Sequence, residues 1–177
     1  MPVHRPQLPL PAESIRKAYR QLIADLDSMI GALAGGRFQT VLNCGPGCSD
    51  CCTRFSVLPL EAALVSEMLR ERTPIRAGAA REKCLLLADD LCQVYEVRPV
   101  ICRTQGLPLG YIDEEAGTIE VSACPLNFAD EYPLGHDDLL YMDQFNRRLA
   151  ELNLHYCRAA GLDPEKRIPL AELIPAV

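Results

Sequence analysis

The sequence predicts a mainly α fold with a small β-hairpin, in which two long amphipathic helices bracket an irregular, cysteine-rich core. Three observations carry this. Apolar residues recur at alternating steps of four and three near both ends of the chain. Eight of the nine cysteines fall between them, within residues 44–124. Two short runs rich in Val, Ile, Tyr and Thr flank an acidic turn that ends in glycine. With 177 residues, a single domain spanning 1–177 is expected.

Residues 1–11 hold Pro2, Pro6, Pro9 and Pro11 and read as an extended arm. A helix is expected over roughly 12–34, within a helical segment 12–42. Its stripe is Ile15, Tyr19, Leu22, Leu26, Met29 and Leu33, widened by Ala18, Ile23 and Ile30, and Gly35-Gly36 stops it. The cysteine-cluster core covers 43–125. Its first stretch, 43–55, has no period and reads as a loop. Pro59 opens a helix near 60–72 with Leu60, Ala63, Leu64 and Met68 on one face, ended by Thr73-Pro74. Residues 75–83 fit no pattern. Cys84–Leu87 reads as a short buried strand and Asp89-Asp90 as a turn. Runs 107–112 and 118–122 form the expected hairpin around Asp113–Gly117. A last helix is expected over about 138–160, in the segment 137–161, with the stripe Met142, Phe145, Leu149, Leu152, Tyr156 and Ala159. Asp137 would cap its start and Gly161 its end. Residues 162–177 form a proline-punctuated tail.

Composition narrows the function classes. A net charge of -6 and a pI near 5.1 argue against nucleic acid as a partner, because phosphate binding needs a basic face. No run approaches the roughly 20 apolar residues that span a bilayer, so no membrane partner is expected. The N-terminus does not run into an apolar segment of signal-peptide type. The expected compartment is cytoplasmic, where clustered cysteines are metal ligands or redox groups more often than disulfides. The helix stripes suit a monomer or a homodimer, and a protein partner is compatible with either.

The sharpest feature is Cys44-x3-Cys48-x2-Cys51-Cys52. Gaps of two to four residues let one tight loop aim several sulfurs at a single ion, and Gly45, Pro46 and Gly47 supply the turn. Soft thiolates select zinc or iron–sulfur over magnesium or calcium. Neighbouring side chains diverge, so Cys51 and Cys52 suit one ion poorly. Cys52 then serves a second centre or a separate role. A second set, Cys84, Cys92, Cys102 and Cys124, is widely spaced. Together the sets suffice for two four-thiolate sites, or for one site with spares. A single site is expected to use Cys44, Cys48 and Cys51 with one cysteine of the second set. Cys124-Pro125 echoes the end of bacterial ferredoxin runs. The x3–x2 spacing also matches the cluster loop of radical S-adenosylmethionine enzymes, but no repeated strand–helix units follow it, and Asp50 stands where an aromatic is usual.

Cys44-x3-Cys48-x2-Cys51-Cys52, then Cys84, then Cys92-x2-Tyr95-Glu96-x-Arg98-Pro99-x2-Cys102-Arg103, then Cys124, resembles the YkgJ-like cysteine-cluster family, a CxxCxxCC-type domain described as zinc- or iron-chelating. The resemblance covers roughly 44–124. It implies Cys44, Cys48, Cys51, Cys52, Cys84, Cys92, Cys102 and Cys124 as metal ligands, and zinc or an iron–sulfur cluster as cofactor, 4Fe-4S if iron. It also implies, as an alternative, an iron–sulfur enzyme of the flagellin lysine N-methylase type using S-adenosylmethionine; a metal or redox sensor is a further use open to a thiolate-bound metal. Those methylases are longer, and this chain lacks an obvious domain for a methyl donor. No catalytic residues are assigned.

Other features have plainer readings. Arg98 and Arg103 are expected to donate to cluster sulfurs or nearby carbonyls, and their charge to lower nearby thiol pKa values. Pro99 would fix a turn that places Cys102. Cys157 reads as an ordinary helix thiol. His4, His136 and His155 read as ordinary polar residues, with His136 the first to consider as an exception. Asp137-Asp138 reads as a solvated helix start.

Overall fold

The computed structural model describes residues 8–71, 82–129 and 132–174. Both long helices are present: α1 (Glu13–Gly35) and α4 (Asp143–Ala160). They pack against each other, and α2 (Pro59–Glu71) packs on α4. A short α3 (Val100–Arg103) completes the helices. The strands are more numerous than expected. The chain is therefore mixed α/β rather than mainly α.

Three small sheets account for the difference. The expected hairpin is present as β4 (Leu109–Asp113) and β5 (Thr118–Ser122), and Tyr111 faces Glu120 in its register. A third strand, β6 (Leu140–Tyr141), pairs with β4 in parallel. A second sheet joins β2 (Leu87–Ala88) to β3 (Leu91–Cys92). Its turn residues Asp89 and Asp90 both have positive φ, 49° and 57°, the backbone a two-residue type I′ hairpin needs. The third sheet pairs β1 (Ser56–Val57) with β7 (Ile168–Pro169). Two-residue strands carry almost no periodic signal, which is why pattern reading missed them.

Several expectations shift accordingly. Cys84–Leu86 forms a turn, and the strand begins only at Leu87. Helix α4 starts at Asp143, because 140–141 is drawn into the sheet beside β4. Asp137 therefore caps nothing, and 136–138 is a 3-10 turn. Asp138 is buried, with Arg37 Nε at 2.8 Å and the Gly135 N–H donating to it, so it is no solvated helix start. Gly161 closes α4 at φ 67°, the left-handed conformation that glycine adopts most readily. The tail is a strap: β7 leads into a 3-10 turn whose Leu170 and Leu173 are buried. The stretches 1–7 of the arm, Thr73-Pro74, 75–81 and 175–177 lie outside the described residues.

The core sits among α1, α2 and α4. Leu22, Leu26, Leu60 and Leu140 have no solvent exposure. Of the expected α4 stripe, Met142, Phe145, Leu149 and Tyr156 are buried and Leu152 partly so; Asn153 and Cys157 are buried as well, while Ala159 is exposed. Asn153 earns its burial by bonding. It accepts from the Leu60 N–H at 3.0 Å and donates to the Pro164 carbonyl at 3.0 Å. It thus caps the start of α2 and holds the strap. Met29, placed on the α1 stripe, is instead exposed at 37%.

Candidate metal centre

The cysteine loop is built from two tight turns in succession. Cys48 N–H bonds the Gly45 carbonyl at 3.0 Å, with Pro46 and Gly47 (φ 92°) at the corners. Proline then a positive-φ glycine is the type II pattern. Cys52 N–H next bonds the Ser49 carbonyl at 2.9 Å. The loop is tied to the rest of the core by polar contacts. Ser49 Oγ donates to Asp90 at 2.7 Å, and Lys83 Nζ donates to the Ser49 carbonyl at 2.9 Å. Cys84 N–H bonds the Cys52 carbonyl at 2.9 Å beside an antiparallel bridge between Thr53 and Lys83.

Seven cysteines then line one cavity of about 600 Å3: Cys44, Cys48, Cys51, Cys52, Cys84, Cys92 and Cys102. They arrive from the loop, from the turn and hairpin at 84–92, and from α3. Cys124 is not on that wall. It lines an adjoining cavity of about 980 Å3, which also touches Cys51. The structure thus gathers seven of the eight sequence-predicted residues around one space and places the eighth next door. All nine cysteines are free thiols. Among the described residues, no three ligand-type side chains stand close enough to grip an ion as they are. Side-chain rotation at the cysteines would be needed to draw the sulfurs inward. The chemistry of the donor set, soft sulfurs around a shared cavity, fits zinc or an iron–sulfur cluster.

Expectation and structure part over the thiols' acidity. Burial pushes the Cys102 thiol up to about 12 and Cys51 to about 11. Cys52 and Cys84 are raised as well, again chiefly by burial. Neighbouring sulfurs add to the shift in each case, so desolvation and mutual repulsion outweigh the nearby cations. The expected lowering by arginine is not found at these four. Arg103 is turned away: it donates to the Arg98 and Glu96 carbonyls at 2.8 and 2.7 Å and to Asp27 at 2.9 Å. It fastens the 95–98 turn and α3 onto α1. Arg98 does line the thiol cavity, with its guanidinium 3.7 Å from the Tyr95 ring centroid. Its Nε is buried with no hydrogen-bond partner among the described residues, a donor available to a bound sulfur.

Three residues that position the site escaped sequence reading. Asn127 donates to Cys44 Sγ at 3.2 Å and to the Gly106 carbonyl at 2.8 Å, and accepts from the Asn43 N–H at 2.9 Å. Gly106 (φ 98°) lies so near that a Cβ there would stand 2.5 Å from Cys44 Sγ. Glu61 is buried on α2, accepts from the Val100 N–H at 2.8 Å, and so holds the start of α3 and, through it, Cys102. Only Gly106 left a trace in the sequence, as a glycine between the motif and the hairpin. Of the histidines, His136 faces the Tyr141 hydroxyl at 3.2 Å and His155 is exposed; His4 is outside the described residues. Cys157 is fully buried on α4 beside Asn153, away from the cavity.

Residues 43–125 match the model of the CxxCxxCC family, described as "Putative zinc- or iron-chelating domain". That segment, a little under half of the chain, is similar to this family. The matched segment contains all eight cysteines of the two sets and leaves out Cys157, α1 and α4. No curated protein and no solved structure matches the chain. No helix among the described residues is long and apolar enough to cross a membrane.

Proposed function

We propose that this protein holds a zinc or iron–sulfur centre through the thiolates of Cys44, Cys48, Cys51, Cys52, Cys84, Cys92, Cys102 and Cys124, and that the centre organises the cysteine-rich middle of the chain. The observation that carries this reading is the convergence of seven cysteines, distant in sequence, on one cavity. Such a ring of thiols would gain fold stability from an ion that cross-links it. When bound, zinc would supply a closed structural tie, and an iron–sulfur cluster would add one-electron redox chemistry. The chain's own part is to bring the sulfurs together and to shed their protons as the ion enters. The test is elemental analysis with a visible spectrum on protein purified anaerobically without added metal. Iron with acid-labile sulfide and a broad band near ~400 nm, or colourless protein with stoichiometric zinc, supports the reading. Metal-free protein that takes up neither would sink it.

A second reading has an observation of its own. The cavity of about 980 Å3 shares Cys51 with the thiol cavity and is lined also by Glu61, Asn146 and Arg167. An apolar-walled space with a few polar groups beside a metal centre suits a small-molecule substrate. This favours the enzyme alternative, with S-adenosylmethionine as the first ligand to try. Equilibrium dialysis of the metal-loaded protein against labelled S-adenosylmethionine tests it, and absence of saturable binding removes it.

A further inference from the structure

We infer that the eight cysteines form two separate four-thiolate sites: an outer one on Cys44, Cys48, Cys51 and Cys124, and an inner one on Cys52, Cys84, Cys92 and Cys102. This rests on the metal-centre reading and goes beyond it by assigning each sulfur.

The seam runs through the Cys51–Cys52 peptide. Cys52 belongs with the inner set by its backbone, since its carbonyl accepts the Cys84 N–H at 2.9 Å. The chain from Cys84 then turns, with Leu87 N–H on the Cys84 carbonyl at 3.1 Å, and Leu87 pairs with Cys92 across the hairpin. Cys102 enters from α3 and lines the same cavity as Cys52, Cys84 and Cys92. Cys51 faces the other way as well, lining both cavities, and Cys124 shares the second of them. Asn127 closes the outer set. Its side chain holds Cys44 Sγ at 3.2 Å, while its own N–H bonds the Cys124 carbonyl at 3.0 Å. Phe128, which bonds the same carbonyl, packs edge-on against Phe38 at 4.9 Å and anchors this segment beside the end of α1.

Coordination chemistry agrees. Four thiolates saturate a tetrahedral ion, so a single ion would leave four thiols idle in the cavity wall. The two sites also differ in access. Cys44 and Cys48 are exposed, whereas all four inner cysteines are partly buried. The outer site therefore exchanges its ion faster.

The full chain, reduced and metal-free, is titrated anaerobically with cobalt(II), following the cobalt–thiolate absorbance. Wild type is expected to take two ions, released to a chelator in a fast and a slow step. The double variant Cys48→Ser/Cys124→Ser should keep one ion, the slowly released one. Cys84→Ser/Cys92→Ser should keep the fast one, and Cys48→Ser/Cys92→Ser neither. Wild type saturating at one ion overturns the two-site assignment, and this readout does not depend on any variant folding. So does loss of both ions in Cys48→Ser/Cys124→Ser while circular dichroism shows its helices intact. Wild type that develops no thiolate absorbance at all refutes instead the metal-centre reading on which the assignment stands.

Discussion

The helical frame and the cysteine-rich middle are held by different means. In the frame, Leu22, Leu26, Leu60, Phe145 and Tyr156 are almost wholly shielded from water. In the middle, every cysteine of the two sets is exposed or only partly buried. The frame is closed by apolar area, which is non-directional and tolerates imprecise geometry. The cysteine turns of the middle are tied by single polar contacts: Ser49 to Asp90, Lys83 to Ser49, Asn127 to Cys44. Leu86, Val94 and Val100 join the core, but the thiol-bearing turns themselves are fixed by specific bonds. The frame thus behaves as a scaffold, and the middle as a site assembled on it.

Removing the metal should separate the two regions most strongly. A structural zinc can contribute on the order of 10 kcal/mol to a small domain. Chelation at neutral pH is expected to expose amides of residues 43–58 and 82–105 to hydrogen exchange while α1 and α4 stay protected. Equal loss of protection in both regions would erase the distinction. Next in size is Leu26→Ala, which opens a cavity where exposure is 0% and should cost about 2–5 kcal/mol in urea unfolding. Metal stoichiometry should be unchanged. Asn153→Ala leaves the buried Leu60 N–H without its partner and should cost about 1–3 kcal/mol, again with metal retained. Cys157→Ser should likewise retain full metal content, which elemental analysis would report.

The smallest effect is a pH dependence at Glu61, in the frame. Burial raises its carboxyl above the ordinary value of 4.5. The folded chain then keeps the proton where the unfolded chain has lost it. Stability from the neutral form is complete below pH 4.5 and declines as the pH rises through the raised value. Glu61→Gln should flatten that decline in thermal melts taken from pH 4 to 7. An unchanged slope would place the titrating group elsewhere.

Much of the frame was legible because helices announce themselves locally. The stripe of α1 and the glycines at 35–36 and 161 put its ends and that of α4 within a residue or so. The β4–β5 hairpin was legible for the same reason. The start of α4 was not, because Leu140 and Tyr141 are recruited by β4, a partner some thirty residues upstream in the chain. The strap at 168–173 was hidden likewise, since its strand exists only through Ser56 and Val57.

The sequence by itself determined the amphipathic helices, the hairpin, and the supply of thiols suited to a soft metal. Those are properties of composition and of spacings within a few residues. Only the tertiary structure decided that Cys124 stands outside the main thiol cavity, that Asn127 and Gly106 frame Cys44, and that Cys52 is bonded to the Cys84 segment while Cys51 faces both cavities. Such partnerships join residues tens of positions apart, and no local period encodes the path that brings them together.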